Sequence, residues 1–204
     1  GMGAVRWGTA VIRANSFPNP GRVYLGSATN LCGRFADVNA VVTDPPYYDS
    51  VPYSDISDFF YVWLRRTLGP VHADVFSGAL TPKRREIIQP NPRHGGEAGA
   101  RRFYEAEMTK AFEECGRIVS ENGIIVVVFA HKTTAAWETL LESLLGAGLV
   151  VTASWPIDTE MTNRTAARQA ASLASSVFIV CRKRSAHEDG FLDDVEPALV
   201  ERLH

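Results

Sequence analysis

The chain is expected to fold as an α/β domain on a mostly parallel sheet that ends in a C-terminal antiparallel hairpin. Three observations predict this. Short β-branched runs, Ala40–Thr43 and Gly123–Ala130, alternate with longer amphipathic stretches, Ser54–Leu68 and Arg101–Ser120. Strand–helix–strand–helix order argues for a parallel sheet with helices on both faces. Gly123–Ala130 is almost continuously apolar, as expected of a strand buried on both faces. Two further apolar runs, Leu149–Trp155 and Ser176–Arg182, lie about twenty residues apart and form the hairpin if the second returns antiparallel.

In chain order, Val5–Arg13 alternates apolar and polar residues and reads as a strand. Arg22–Gly26 reads as another short strand, followed by a polar turn through Ser27 and Asn30. Ala40–Thr43 is a strand that delivers Asp44-Pro45-Pro46-Tyr47 at its carboxyl end. Ser54–Leu68 is a helix capped by Ser54 or Asp55, with Ile56, Phe59, Phe60, Trp63 and Leu64 on one broad apolar face expected to join the core, a base-stacking platform being the alternative. Gly69-Pro70 ends it. Residues 77–100 are rich in Gly, Pro and charge and read as a loop, with Gly95-Gly96 as a hinge. Long loops without secondary structure are usually functional or disordered. Lys83, Arg84 and Arg85 make this segment the candidate phosphate-contacting flap, a solvated loop with incidental charge being the alternative. Arg101–Ser120 is a long helix ended by Glu121-Asn122-Gly123. Thr134–Leu145 is a helix capped by Gly146 and Gly148.

A chain of 204 residues suits one domain. We divide it into an N-terminal strand and linker (1–20), a main domain (21–184) and a tail (185–204). Hydrophobic content of 46% and charged content of 22% are those of an ordinary globular protein. A net charge of −2 provides no general attraction to nucleic acid, so any such partner must be held by local basic segments. No apolar run approaches the roughly 20 residues of a membrane span, and no signal peptide is evident, so no membrane association and a cytoplasmic setting are expected. Cys32, Cys115 and Cys181 are far apart and form no closely spaced ligand pair. We therefore expect no metal site, and reduced thiols in or near the core.

The chemistry is concentrated in Asp44-Pro45-Pro46-Tyr47. The exocyclic amine of a nucleobase is a poor nucleophile because its lone pair is delocalised into the ring. A site that alkylates it must accept hydrogen bonds from both N–H groups. Asp44 supplies a charged acceptor, the stronger kind, and the Pro45 carbonyl supplies a second. Two prolines stiffen the turn, and Pro45 also pushes Asp44 towards an extended conformation. Tyr47 offers a stacking face worth roughly 1–3 kcal/mol per base. A duplex base must leave the helix to reach such a pocket. An ordinary Asp-Pro turn is the alternative reading of these four residues. Tyr48 and Tyr53 add aromatics beside the turn and suit either substrate contact or packing against the next helix.

In open α/β sheets, ligands sit beyond the carboxyl ends of the parallel strands. Asp44 lies at such an end. His131-Lys132 follows Gly123–Ala130 at another, where a surface turn is the alternative, and Trp155-Pro156 marks a third. If the last strand returns antiparallel, residues 157–173 loop over the same rim and bring Glu160 and Arg164 towards the substrate.

Val42-Thr43-Asp44-Pro45-Pro46-Tyr47 resembles the catalytic motif of S-adenosylmethionine-dependent amino-methyltransferases, chiefly the adenine-N6 DNA methylases. Asp44 to Arg66, the segment Trp155 to Glu160 and Ala174-Ser175-Ser176 leading into Val177–Arg184 are together similar to the zinc-ribbon-containing adenine-specific DNA methylases. The resemblance runs from about Gly21 to Arg184. It implies a Rossmann-like class I methyltransferase sheet, S-adenosylmethionine as cofactor, DNA as partner and methyl transfer to adenine N6, with Asp44, Pro45, Pro46 and Tyr47 catalytic. Gly26-Ser27-Ala28 matches the weaker motif that lines the cofactor's adenine. The zinc ribbon has no counterpart here, and neither has the glycine-rich Asp-Pro-Phe-x-Gly-x-Gly loop that holds the cofactor's methionine moiety. We therefore expect a partial domain, a C-terminal piece of a larger methylase or a diverged relative. Cytosine N4 as target, an RNA or protein-amide target, and a non-catalytic module derived from a methylase stay open.

Overall fold

The computed structural model describes residues 2–15, 21–22, 24–31, 33–46, 52–84, 86–88, 95–131, 133–157 and 176–184. In chain order these form α1 (Met2–Ala14), β1 (Val38–Thr43), α2 (Tyr53–Leu68), α3 (Glu97–Ile118), β2 (Val119–Phe129), α4 (Thr134–Gly146), β3 (Leu149–Ile157) and β4 (Ser176–Lys183).

The four strands make one sheet of order β1-β2-β4-β3. β1 pairs parallel with β2, with Val41 opposite Ile125 and Thr43 opposite Val127. β4 runs antiparallel to β2, with Ile179 opposite Val127, and antiparallel to β3, with Phe178 opposite Trp155. β1, β2 and β3 therefore all point the same way, and their carboxyl ends share one rim. This is a partial Rossmann-like α/β sheet with the expected terminal hairpin. Pro156 is tolerated within β3 because that strand lies at the edge of the sheet, where a missing backbone donor breaks no ladder on the open side.

The core lies on one face of this sheet. Tyr104, Met108 and Phe112 recur every fourth residue of α3 and form its buried stripe. They meet Ala136, Leu140 and Leu144 of α4, Ile125, Val127 and Phe129 of β2, and Ile179 and Cys181 of β4. α3 and α4 pack against each other as well as against the sheet, so both lie on the same face. Among the described residues the helices packed on the sheet are these two, on one face, where helices on both faces were expected. The structure also corrects the reading of Gly123–Ala130 as fully buried: Ile125, Val127 and Phe129 are buried, whereas Ile124, Val126 and Val128 are half-buried.

The N-terminal reading is corrected too. Val5–Arg13 lies within α1, not in a strand. Arg6, Ala10 and Arg13 are good helix formers, and helical hydrogen bonds need no partner strand. None of the described residues in 21–26 enters a strand; among the described residues, the pairing found nearby is an isolated bridge between Ser27 and Asn30. α2 has the expected span, but its apolar face is not in the core. Ile56, Phe59, Phe60, Trp63 and Leu64 remain 45–68% exposed. Hydrophobic periodicity marks a face that can be buried; whether a neighbour covers it depends on tertiary packing.

Two backbone features place the loops. Gly95 and Gly96 have φ of 73° and 98°, the left-handed region that favours glycine, and they turn the chain directly into α3. The loop expected over 77–100 is therefore shorter than its composition suggests, since α3 already begins at Glu97. In β2, the register jumps from Val38↔Val119 to Ala40↔Ile124, so residues 120–123 form a bulge. A Cβ on Gly123 would lie 2.9 Å from the Asn39 carbonyl of β1, a close approach that glycine permits.

Candidate active site

The rim expected from topology is present. β1 ends at Thr43 and releases Asp44, β2 ends at Phe129 two residues before His131, and Trp155 lies two residues before the end of β3. Within the Asp44–Pro46 turn, Asp44 is exposed, Pro45 is buried and Pro46 is half-buried. Although Asp44 is open to solvent at its edge, partial desolvation raises its carboxyl above the ordinary carboxylate value. A carboxylate of raised proton affinity is a stronger hydrogen-bond acceptor. The Pro46 carbonyl accepts a hydrogen bond from the Tyr104 hydroxyl of α3 at 2.7 Å.

α2 follows soon after this turn, and its first turn is fastened to the chain around residues 81–86. The Ser54 amide donates to Glu86 Oε1 at 2.8 Å, and the Ser54 hydroxyl donates to Glu86 Oε2. A carboxylate on the first amides of a helix satisfies donors that lack helical partners and complements the helix dipole. Thr81 donates its amide to Asp58 Oδ1 at 2.9 Å, and Lys83 pairs with Asp58 Oδ2. Lys83, followed by the Thr81 hydroxyl and amide, holds the Asp58 carboxyl down to about 2. The sequence offered Lys83 as a phosphate contact; the structure engages it with Asp58. Arg84 is exposed. Arg85 lies outside the described residues.

Arg84 also borders a cavity of about 900 Å³ between residues 24–35 and α3. Gly26, Ser27 and Ala28 line it, together with Tyr24, Arg34, Phe35, Phe103 and Glu107. The lining turn is tight: the Asn30 amide donates to the Ser27 carbonyl at 3.1 Å, and the Ser27 and Thr29 hydroxyls pair at 2.8 Å. Tyr24 and Phe35 meet edge to face at 5.5 Å, and the Arg34 guanidinium lies 5.2 Å from the Tyr24 ring centre. The cavity's size falls in the range of small-molecule sites, which is about 300–1,000 Å³. Aromatic walls, hydroxyls and one carboxylate suit a nucleoside. Nothing among these lining residues matches a glycine-rich cradle for an amino-acid moiety.

The remaining rim residues divide in two. His131 accepts the Thr133 amide at its Nδ1 at 3.1 Å, and its carbonyl accepts the Trp137 indole N–H at 3.0 Å. Its ring stacks on Phe129 at 6.2 Å. His131 thus holds the β2–α4 turn together, in line with the surface-turn alternative. Tyr53 opens α2 and is half exposed. Tyr47, Tyr48, Lys132, Glu160 and Arg164 lie outside the described residues.

Sequence reasoning missed three contributors. Tyr104 was legible only as one member of an amphipathic stripe, yet a hydroxyl-bearing ring in such a stripe signals a polar partner. Phe103 and Glu107 belong to the same helix but face the cavity. Among the described residues, no group of three or more His, Cys, Asp or Glu could hold a metal ion, and no helix is long and apolar enough to cross a membrane. Burial pushes the thiols of Cys115 and Cys181 up to about 11.

No protein-family profile matches this sequence, and no curated protein matches it. Among solved structures, the chain is similar to a provisionally assigned DNA modification methylase of Thermus thermophilus, with 13% identity and a TM-score of 0.43 over 87% of this chain. The same protein complexed with S-adenosyl-L-methionine gives 14% identity and a TM-score of 0.39, covering 84% of this chain and 59% of its own. A provisionally assigned methyltransferase of Thermoplasma acidophilum gives 12% identity and a TM-score of 0.29, covering 76% of this chain and 72% of its own. The chain spans about 60% of the length of the Thermus protein.

Proposed function

We propose that this chain carries the base-binding side of an S-adenosylmethionine-dependent methyltransferase that acts on the N6 amine of adenine in DNA. The reading rests chiefly on the Asp44–Pro46 turn. It places an exposed carboxylate of raised proton affinity at the carboxyl end of β1, on the rim shared by three strands. Asp44 accepts one amine N–H and the Pro45 carbonyl accepts the other, which draws the nitrogen lone pair out of the ring. Tyr47 stacks on the base. As the new N–C bond forms, the amine sheds one proton, and Asp44 is the residue of the turn able to take it. The cofactor would supply the methyl group from a sulfonium, whose S–C bond would break as the N–C bond forms and whose neutral thioether would leave with the bonding pair. Catalysis is then mainly proximity and alignment.

The cavity lined by Gly26, Ser27 and Ala28 is the proposed place for the nucleoside end of the cofactor. α3 borders both places, with Phe103 and Glu107 on the cavity and Tyr104 on the turn. Arg84 is the proposed phosphate contact, with Lys83 buttressing α2 through Asp58. Glu160 and Arg164 of the segment 157–173, and Tyr48, Tyr53, His131 and Lys132, are proposed to border the DNA. The sequence has no glycine-rich methionine cradle, which favours a second reading: this chain binds nucleic acid but completes catalysis only with the remainder of a larger methylase.

The test is methyl transfer from radiolabelled cofactor to unmethylated, enzymatically amplified DNA, with nucleosides separated afterwards. Label in N6-methyladenine that Asp44→Ala abolishes supports the adenine reading. Label in N4-methylcytosine redirects it to cytosine. Full transfer by Asp44→Ala leaves the turn as ordinary structure and refutes the reading.

A further inference from the structure

We propose that Tyr104 is a positioning residue for the candidate base-binding turn: its hydroxyl, held rigidly in the core, anchors the Asp44–Pro46 unit at its far end. This rests on the reading of that turn given above.

The rings of Pro45 and Pro46 fix both φ angles. Each proline also restricts the residue before it to extended conformations, which limits ψ of Asp44 and of Pro45. Asp44, Pro45 and Pro46 therefore move nearly as one rigid piece. β1 holds that piece at its near end, through the Thr43↔Val127 pairing. The soft torsion left at the far end is ψ of Pro46, which sets the direction of the Pro46 carbonyl. That carbonyl is the acceptor for Tyr104, at 2.7 Å.

The donor is well suited to this role. Tyr104 is 2% exposed and sits with Met108 and Phe112 in the buried stripe of α3. Phenylalanine would pack as well at such a position, whereas a buried hydroxyl requires a partner. The bond joins residues 58 apart in sequence, so it ties the turn to the helix that also lines the cavity at Phe103 and Glu107. It engages the second proline and leaves the first proline's carbonyl to the substrate.

Tyr104→Phe tests this, because it keeps the ring and removes only the hydroxyl. The first readout is the titration of the Asp44 carboxyl, followed by carbon-13 NMR in the full chain. Release of the turn admits water, so the Asp44 midpoint should fall towards the ordinary aspartate value. The second is methyl transfer to amplified unmethylated DNA, where kcat should fall roughly 10- to 100-fold, as expected of misplaced reacting groups, with KM for the cofactor unchanged. A variant with an unshifted Asp44 titration overturns the proposal and leaves Tyr104 as core packing. The Asp44→Ala transfer assay fails or succeeds separately: if that variant is fully active, the methyltransferase reading falls while the titration still decides whether Tyr104 positions the turn.

Discussion

The amide of Leu31 donates to Glu114 Oε2 at 3.1 Å, across 83 positions of sequence. Glu114 lies near the end of α3, where Arg117 also grips it, with Nη2 on Oε2 at 2.9 Å. The Arg117 hydrogen bond, then the Leu31 amide, lowers the Glu114 carboxyl below its usual value. One carboxylate thus moors the segment carrying Gly26, Ser27 and Ala28 to the helix that forms the opposite wall of the cavity.

Glu114→Ala should therefore loosen residues 24–31 without unfolding the sheet. A single hydrogen bond contributes about 1 kcal/mol net, so exchange of the Leu31 amide should accelerate several-fold while the amides of β2 keep their protection. Unchanged Leu31 exchange would show that the mooring is not made in solution.

The Asp58 lock predicts a defined acid response. Its folded carboxyl lies near 2, below the ordinary 3.8, so its contribution is fully present above pH 3.8 and disappears as pH falls through about 2. Exchange of the Thr81 amide, which Asp58 accepts, should stay slow at about pH 4 and rise towards pH 2. Asp58→Asn should abolish that pH step. It keeps an acceptor for Thr81 and removes the charge that holds Lys83.

Gly123→Ala should destabilise the domain by about 1–3 kcal/mol, the usual penalty of forcing atoms into a packed place. The added carbon would press on the Asn39 carbonyl, a backbone atom that can yield only if β1 shifts against β2. Thermal unfolding measures it. A neutral result would mean that the bulge at residues 120–123 relaxes freely.

Cofactor binding by this chain alone should be weak, because the cavity is proposed to take the nucleoside half only and the sequence has no glycine-rich loop for the other. Calorimetry should find adenosine and S-adenosylmethionine bound with similar affinity. A dissociation constant near 1 μM for the full cofactor, about −8 kcal/mol, would show that the chain holds the methionine end by other means.

Local chemistry made much of this molecule legible. The β-branched runs, the helix ends at Gly69, Gly146 and Gly148, and the hairpin of β3 and β4 follow from periodicity and turn residues that act over a few positions. Strand direction followed as well, since long connections return the chain for parallel pairing. That alone puts Asp44 and Trp155 on one rim.

What sequence by itself determined, then, was the type and order of the elements described after the first thirty-seven residues, though not their ends at Glu97 and Val119, and where the rigid acidic turn must emerge. Tertiary structure decided which apolar faces are covered. The α3 stripe is buried, whereas the equally apolar face of α2 is left exposed, because burial depends on a neighbour that periodicity cannot name. Tertiary structure also made Val5–Arg13 a helix, since an alternating segment becomes a strand only where another strand offers an edge. Finally, it chose the partners of Tyr104, Glu114 and Lys83. A hydroxyl, carboxylate or ammonium on a helix or loop has many chemically equivalent partners in sequence, and only the packed backbone brings one of them within about 3 Å.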